Sequence, residues 1–399
     1  MLRFFLLAVL CGGAMRAETV LVIPFFNHTS EASLNWIGES IAESVRDSLA
    51  SEGLLVLDRE DRMEAYRRLS LRPGAELTHA SVIKLGEALD ASRVIYGEYE
   101  LMEPSAAAPT SAAPGAPPSR GSIRITAHIL DLKQLHLSAP ISQTGAFEDL
   151  AAIEARMGWQ ALETLRPKTA PSEEEFLKVR PPVRIDAVES YIRGLLSASP
   201  EQRHRLFTQA ARLDGHYSQP CFQLARISWE KKDYKTAENW FVRVGQKDPH
   251  YLESQFFLGL SRFHTGDFEG AEKSFELVAA SMPLNEVYNN LGAVQDRRGN
   301  FTAAIANFRK ALEGDDSDPD FHFNLGYSQW HAGQFEDAAA SFRDVLARDP
   351  NDADATSLLA LASQKRGPRP GDPKTEGRMR LKNNYDEAAY RQLQMELTK

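Results

Sequence analysis

His322 and His331 lie nine residues apart, and no acidic residue stands in register with either. Zinc chemistry needs ligands at tighter spacing, and the chain has no H-E-x-x-H and no cysteine–histidine cluster. Phosphate chemistry needs a glycine-rich cradle, and neither G-x-x-x-x-G-K-S/T nor G-x-G-x-x-G occurs. The G-x-S-x-G elbow of a serine nucleophile is missing as well. The acidic runs Ser172–Glu175 and Gly314–Asp320 read as helix caps and loops. The second lacks the regular spacing and closing glutamate of a calcium loop. No catalytic residue, cofactor-binding residue or metal ligand is assigned, and no cofactor. The chain is read as a non-enzyme.

Binding is the remaining chemistry. A net charge of −9 argues against sequence-independent nucleic-acid binding, which is driven by phosphate neutralisation. The elements that must position a binding surface show in a period of about 34 residues. A small residue recurs at Ala225, Gly259, Gly292, Gly326 and Ala360, an alanine at Ala237, Ala271, Ala304 and Ala338, and an aromatic at Phe241, Phe275, Phe308 and Phe342. Each unit reads as two antiparallel helices. The small residue lets the second helix approach, and a tight turn carries Gly266, Gly299 or Gly333. Pro249, Pro283 and Pro350 end the second helix, because proline cannot continue one.

This spacing resembles the tetratricopeptide repeat. Units are read at Ser218–Tyr251, Leu252–Leu284, Asn285–Asp318 and Pro319–Asp352. A divergent unit precedes them at about Asp186 to Tyr217, and a half-unit, Ala353 to Gln364, follows as a cap. The resemblance implies a concave groove, lined by the first helices, that binds a peptide. Carried onto this sequence, the groove positions are Phe222, Arg226, Trp229, Phe256, Phe263, Asn290, Phe323, Asn324, Tyr327 and Trp330, with Leu260, His264, Asn289, Asp296, Arg297 and His331 beside them. The carboxylate-clamp form of the family has a lysine at the first groove position. These units carry Phe or Asn there, so an acidic carboxyl terminus is a poor ligand. Aromatics supply large contact area, and Asn290 and Asn324 are suited to bond a ligand backbone. The same aromatics are equally suited to pack between neighbouring helices.

Residues 1–17 hold one arginine ahead of the apolar run Phe4–Leu10, then small residues, the pattern of a secretory signal peptide. Cleavage after Ala14 or after Ala17 fits. Leu10 before Cys11 disfavours a lipobox. Without Cys11, Cys221 has no intramolecular disulfide partner and reads as a buried structural thiol. The sequons at Asn27 and Asn300 are discounted for a bacterial-looking chain. Residues 18–168 then alternate strands with helices: strands at Thr19–Phe25, Leu54–Leu57, Ser92–Glu100, Ser122–Asp131 and Ile141–Phe147, helices at Asn35–Leu49, Arg59–Leu69, Ser81–Leu89 and Phe147–Leu165. A Pro/Ala/Ser-rich insertion, residues 103–121, reads as disordered at a hairpin tip. Pro24-Phe25, Asp58-Arg59 and Gly97 resemble the TolB-like envelope domain and its curli-secretion (CsgG-like) and penicillin-binding-protein-activator relatives. That likeness implies envelope assembly without catalysis.

The expected fold class is therefore multidomain, α/β plus all-α: a small mixed-sheet domain, a linker at 169–185, and a tetratricopeptide α-solenoid over 186–365. A basic tail and a short amphipathic helix occupy 366–399. The helix, from Tyr385 to Leu397, is expected to dock on the last repeat and cover its apolar end. The basic stretch Arg366–Lys382 is expected to be solvated, though it also suits an anionic lipid surface or an acidic partner. No segment reaches the ~20 apolar residues of a membrane span. The functional expectation is an adaptor of the periplasm or cell envelope that binds an apolar or amphipathic segment of a partner protein. The alternative is a structural subunit of an envelope or secretion assembly, oligomerising through the α/β domain. The sequence leaves the oligomeric state open.

Overall fold

The computed structural model describes residues 19–29, 31–102 and 121–397. The signal-peptide pattern and nearly all of the 103–121 insertion lie outside the described residues. The chain folds as a small mixed-sheet α/β domain followed by a series of helix pairs.

The strands are β1 (Thr19–Val22), β2 (Phe26–Asn27), β3 (Leu55–Val56), β4 (Arg93–Met102), β5 (Ser122–Asp131), β6 (His136–Leu137) and β7 (Ile141–Ala146). β1 runs parallel to β3 and to β4, while β4 and β5 form a long antiparallel hairpin with Arg93 opposite Asp131 and Met102 opposite Ser122. β6 and β7 pair with the far side of β5. The expected first strand, Thr19–Phe25, is broken. It stops at Val22 and resumes as β2 beyond Pro24, whose missing N–H cannot serve a ladder.

Four helices flank the sheet: α1 (Trp36–Ala50), α2 (Arg59–Arg68), α3 (His79–Ala88) and α4 (Leu150–Leu165). The two-residue period of a strand sends Val20 and Val22 to the face covered by Ile37, Ile41, Ile153 and Met157 of α1 and α4. It sends Leu21 and Ile23 to the opposite face, against Ala65, Tyr66, Val82 and Leu85 of α2 and α3. Burial on both faces explains why this strand reads as a continuous apolar run. Glu154 of α4 is buried on the first side, and among the described residues its Oε1 finds no hydrogen-bond partner. Burial pushes its carboxyl up to about 8, only partly opposed by Ser40.

The helical half comprises α5 (Glu173–Lys178), α6 (Ile185–Leu196), α7 (Pro200–Leu213), α8 (Gln219–Glu230), α9 (Tyr234–Phe241), α10 (Tyr251–Thr265), α11 (Phe268–Ser281), α12 (Asn285–Arg297), α13 (Phe301–Gly314), α14 (Pro319–His331), α15 (Phe335–Arg348), α16 (Ala353–Ser363) and α17 (Glu387–Leu397). The small residue of each first helix is the seat of the aromatic from its partner. A Cβ on Gly259 would come within 2.8 Å of the Phe275 ring, and one on Gly292 within 2.8 Å of Phe308. Gly194 and Phe207 repeat the arrangement in the divergent unit. The turns at Gly266, Gly299 and Gly333 have φ of 84°, 78° and 74°. The first full unit has Lys232 at the equivalent position, at φ 59°.

Cys221 of α8 is buried, and burial pushes its thiol up to about 11. The folded chain is therefore expected to resist maleimide at Cys221 at pH 7.5 and to label there only in denaturant. Mass spectrometry of the Cys221 peptide reads this directly, and rapid labelling under native conditions would contradict it.

Candidate functional site

The first helices α10, α12 and α14 share one side of the helical half, and the segment lying against that side is the chain's own tail. Beyond α16 the chain turns back and runs along these helices toward the α/β domain. Trp330 Nε1 donates to the Arg366 carbonyl at 2.6 Å, and the Tyr327 hydroxyl donates to the Thr375 carbonyl at 2.5 Å.

Further along, amide side chains take over. Asn324 of α14 accepts from the Arg380 N–H at 2.9 Å and donates to the Arg380 carbonyl at 2.8 Å. Asn290 of α12 does the same for Lys382, with both bonds at 2.8 Å. Asn289 adds a second donor to the Arg380 carbonyl at 2.9 Å. Asn290 and Asn324 stand 34 residues apart, one repeat period, and they serve alternate residues of the tail. A primary amide offers a donor and an acceptor side by side. Two of them on successive first helices therefore act like a strand edge, pairing both backbone groups of residues i and i+2 in an extended chain. All three asparagine side chains are buried, and they also bond one another, Asn324 donating to Asn289 at 2.7 Å and Asn289 to Asn290 at 3.3 Å. A cover without hydrogen-bonding groups would cost about 1–3 kcal/mol for each amide group it left without a partner.

Side chains of the tail divide by the same alternation. Arg380 pairs with Asp320 at 3.2 Å and Asp352 at 2.6 Å, and its guanidinium lies 3.6 Å over the Phe323 ring. Lys382 reaches Asp318 and Asp320, both at 2.7 Å. Arg378 meets Asp354 at 3.5 Å. Between them, Met379 and Leu381 pack against the apolar cluster around Ala293, Ile305 and Phe308. Burial works against the Asp320 charge, but Lys382 and Arg380 more than offset it and hold the carboxyl below its ordinary range. Asp318 also caps α14, accepting from the Asp320 N–H at 2.9 Å. The acidic run read as caps and loops therefore caps a helix and holds the tail.

The ten aromatic and polar positions named from sequence divide into two sets. Phe256, Asn290, Phe323, Asn324, Tyr327 and Trp330 meet the tail, Phe256 through an edge-on contact with Tyr385 at 5.3 Å. Phe222, Arg226, Trp229 and Phe263 contact the solenoid itself. Phe222 stacks on His250 at 4.2 Å, Arg226 lies over Phe257, Trp229 packs against Tyr234 and Phe257, and Phe263 against Phe268. A cleft of about 740 Å³ borders Phe222 and Arg226, walled by Tyr385, Tyr390 and Leu393 of the tail.

Two expectations are corrected. The terminal helix does not cap the last repeat. The long tail carries α17 to the other end of the solenoid, where it packs beside β3 and Arg391 pairs with Asp58 and Asp61. The basic stretch, in turn, is docked over Arg378–Lys382 instead of solvated. His331 also has an acidic partner: its Nδ1 lies 3.1 Å from Asp296, which comes from the preceding unit and so is invisible to spacing within one repeat. Ser328 donates to the same carboxylate at 2.7 Å.

Among the described residues, no group of three or more metal-ligating side chains is placed to hold an ion, and no helix is long and apolar enough to cross a membrane.

Residues 289–353 and 328–365 match the tetratricopeptide-repeat family. Among solved structures, the chain resembles MamA from Desulfovibrio magneticus RS-1, at 23% identity and a TM-score of 0.36, over 40% of this chain and 92% of that one. It also resembles YrrB, a TPR protein with an unusual peptide-binding site, at 19% identity and a TM-score of 0.35, over 40% and 82%. No curated protein matches the chain. Asn289, Asn290, Asn324, Tyr327 and Trp330, which hold the tail, all fall within the matched residues, and that stretch of the chain carries tetratricopeptide repeats.

Proposed function

We propose that this chain is a non-enzymatic scaffold whose helical half binds an extended segment of a partner protein. The observation that carries the reading is the paired amides: Asn290 and Asn324 each satisfy both backbone groups of one residue in an extended chain. The one bond between helices among these amides, Asn324 to Asn289 at 2.7 Å, leaves the Asn324 carbonyl and both groups of Asn290 free to serve the tail backbone.

The finer reading places the scaffold in the periplasm or cell envelope of a bacterium. What supports it is the residue pattern over 1–17 and the likeness of residues 18–168 to TolB-like domains at Pro24-Phe25, Asp58-Arg59 and Gly97. The second reading, a subunit assembling through its α/β domain, rests on that same likeness.

Affinity capture from an envelope extract tests the first reading. The Asn290→Ala/Asn324→Ala variant is expected to lose the partners held by the wild-type chain while keeping its helical circular dichroism. An unchanged set of captured partners would count against the groove. Fusion of residues 1–17 to a reporter active only after export tests the location.

A further inference from the structure

The tail reports what the groove selects. We infer that the groove takes partner segments in which basic and apolar residues alternate along an extended strand, and that the tail is an intramolecular competitor for that site. The inference rests on the scaffold reading and deepens it.

Backbone pairing by asparagine is blind to side chains, so selectivity must come from the flanking groups. Arg297 borders the tail at Gly377, but the groups that face the tail's alternate basic positions are of one sign. Asp318, Asp320, Asp352 and Asp354 face Arg378, Arg380 and Lys382, the three basic residues at i, i+2 and i+4. The Phe323 face adds a site for a guanidinium. The intervening Met379 and Leu381 lie against apolar surface. A segment with acidic residues at the alternate positions would bring like charges together on half-buried carboxylates, which is costly. The rule read from sequence, an apolar or amphipathic segment, thus narrows to a strand with one basic and one apolar edge.

The tail obeys that rule, and it is tethered. About fourteen residues join the end of α16 to Arg378, which puts the tail at an effective concentration on the order of millimolar. A partner segment must displace it. The charge pairs make this exchange salt-sensitive, because exposed and half-exposed pairs are screened.

The test uses the full chain and a fluorescent peptide of residues 376–385. In the Arg380→Glu/Lys382→Glu chain the tail is repelled while every groove residue is kept. This chain is expected to bind the wild-type peptide at least about tenfold more tightly than the wild-type chain does, as read by anisotropy at low salt. It is expected not to bind a peptide with Glu at positions 378, 380 and 382. Adding Asn290→Ala/Asn324→Ala should abolish binding. Equal binding of both peptides would overturn the alternation rule and leave the scaffold reading standing. Binding no tighter than to the wild-type chain would overturn the tail's role as competitor. Failure to bind either peptide, with helical content intact, would sink this inference and the scaffold reading together.

Discussion

Phe275→Ala is expected to lower the free energy of unfolding by about 3–5 kcal/mol, read as a shift in denaturant midpoint at unchanged slope. Phe275 is fully buried, and its ring lies on the backbone of α10 where Gly259 leaves room. Removing the ring leaves a cavity that two rigid helices cannot close. Gly259→Ala alone should also destabilise, by roughly 1–3 kcal/mol. Its methyl would press into the ring, and this outweighs the ~1 kcal/mol that alanine gains in helix propensity. The decisive result is the pair. In Gly259→Ala/Phe275→Ala the methyl occupies part of the cavity, so the combined loss should fall short of the sum of the two. Strict additivity would mean that the small residue and the aromatic are not a single packing unit.

Glu154→Gln is expected to stabilise the chain, in a pH-dependent way. The carboxyl titrates near 8 when folded, against 4.5 for an ordinary glutamate, because burial disfavours its charge. The folded state therefore holds a proton that the unfolded state releases between those two values. Stability falls as pH rises through that window. At pH 7 and above, the wild-type chain should carry a penalty of about 3–5 kcal/mol that the amide lacks, while below pH 4.5 the two should be nearly equal. Thermal melts at pH 4.5, 6 and 8 check this. A variant that melts below the wild type at pH 8 would mean that Ser40 or another group stabilises the buried carboxylate by more than its burial costs.

Much of this molecule was legible in its sequence, because its elements are made of local periods. The 34-residue recurrence of small residue, alanine and aromatic marks the helix pairs, and the apolar run at Val20–Ile23 marks a strand covered on both faces. The break at Pro24 was legible in principle, since proline cannot serve a ladder. The site was half legible. Asn290 and Asn324 stand out by register, but nothing local says that a segment 56 and 92 residues further on would occupy them. The tail reads as solvated because its charges have no partners nearby in sequence. Of its partners, Asp318 and Asp352 are already accounted for as helix caps, and Asp320 as an acidic residue in the first turn of a helix. Long-range pairing of this kind leaves no periodic trace.

The tail also changes how the chain carries force. In a stack whose units touch only their neighbours, tension applied to the two ends peels off the terminal helix first. Here the segment after α16 is bonded to α14 at Trp330, Tyr327 and Asn324, to α12 at Asn290, and to the α/β domain through Arg391. Tension on the carboxyl end meets those bonds before it reaches any helix pair. The tail is a mechanical clasp, so extension should begin with its release and only then proceed to the repeats.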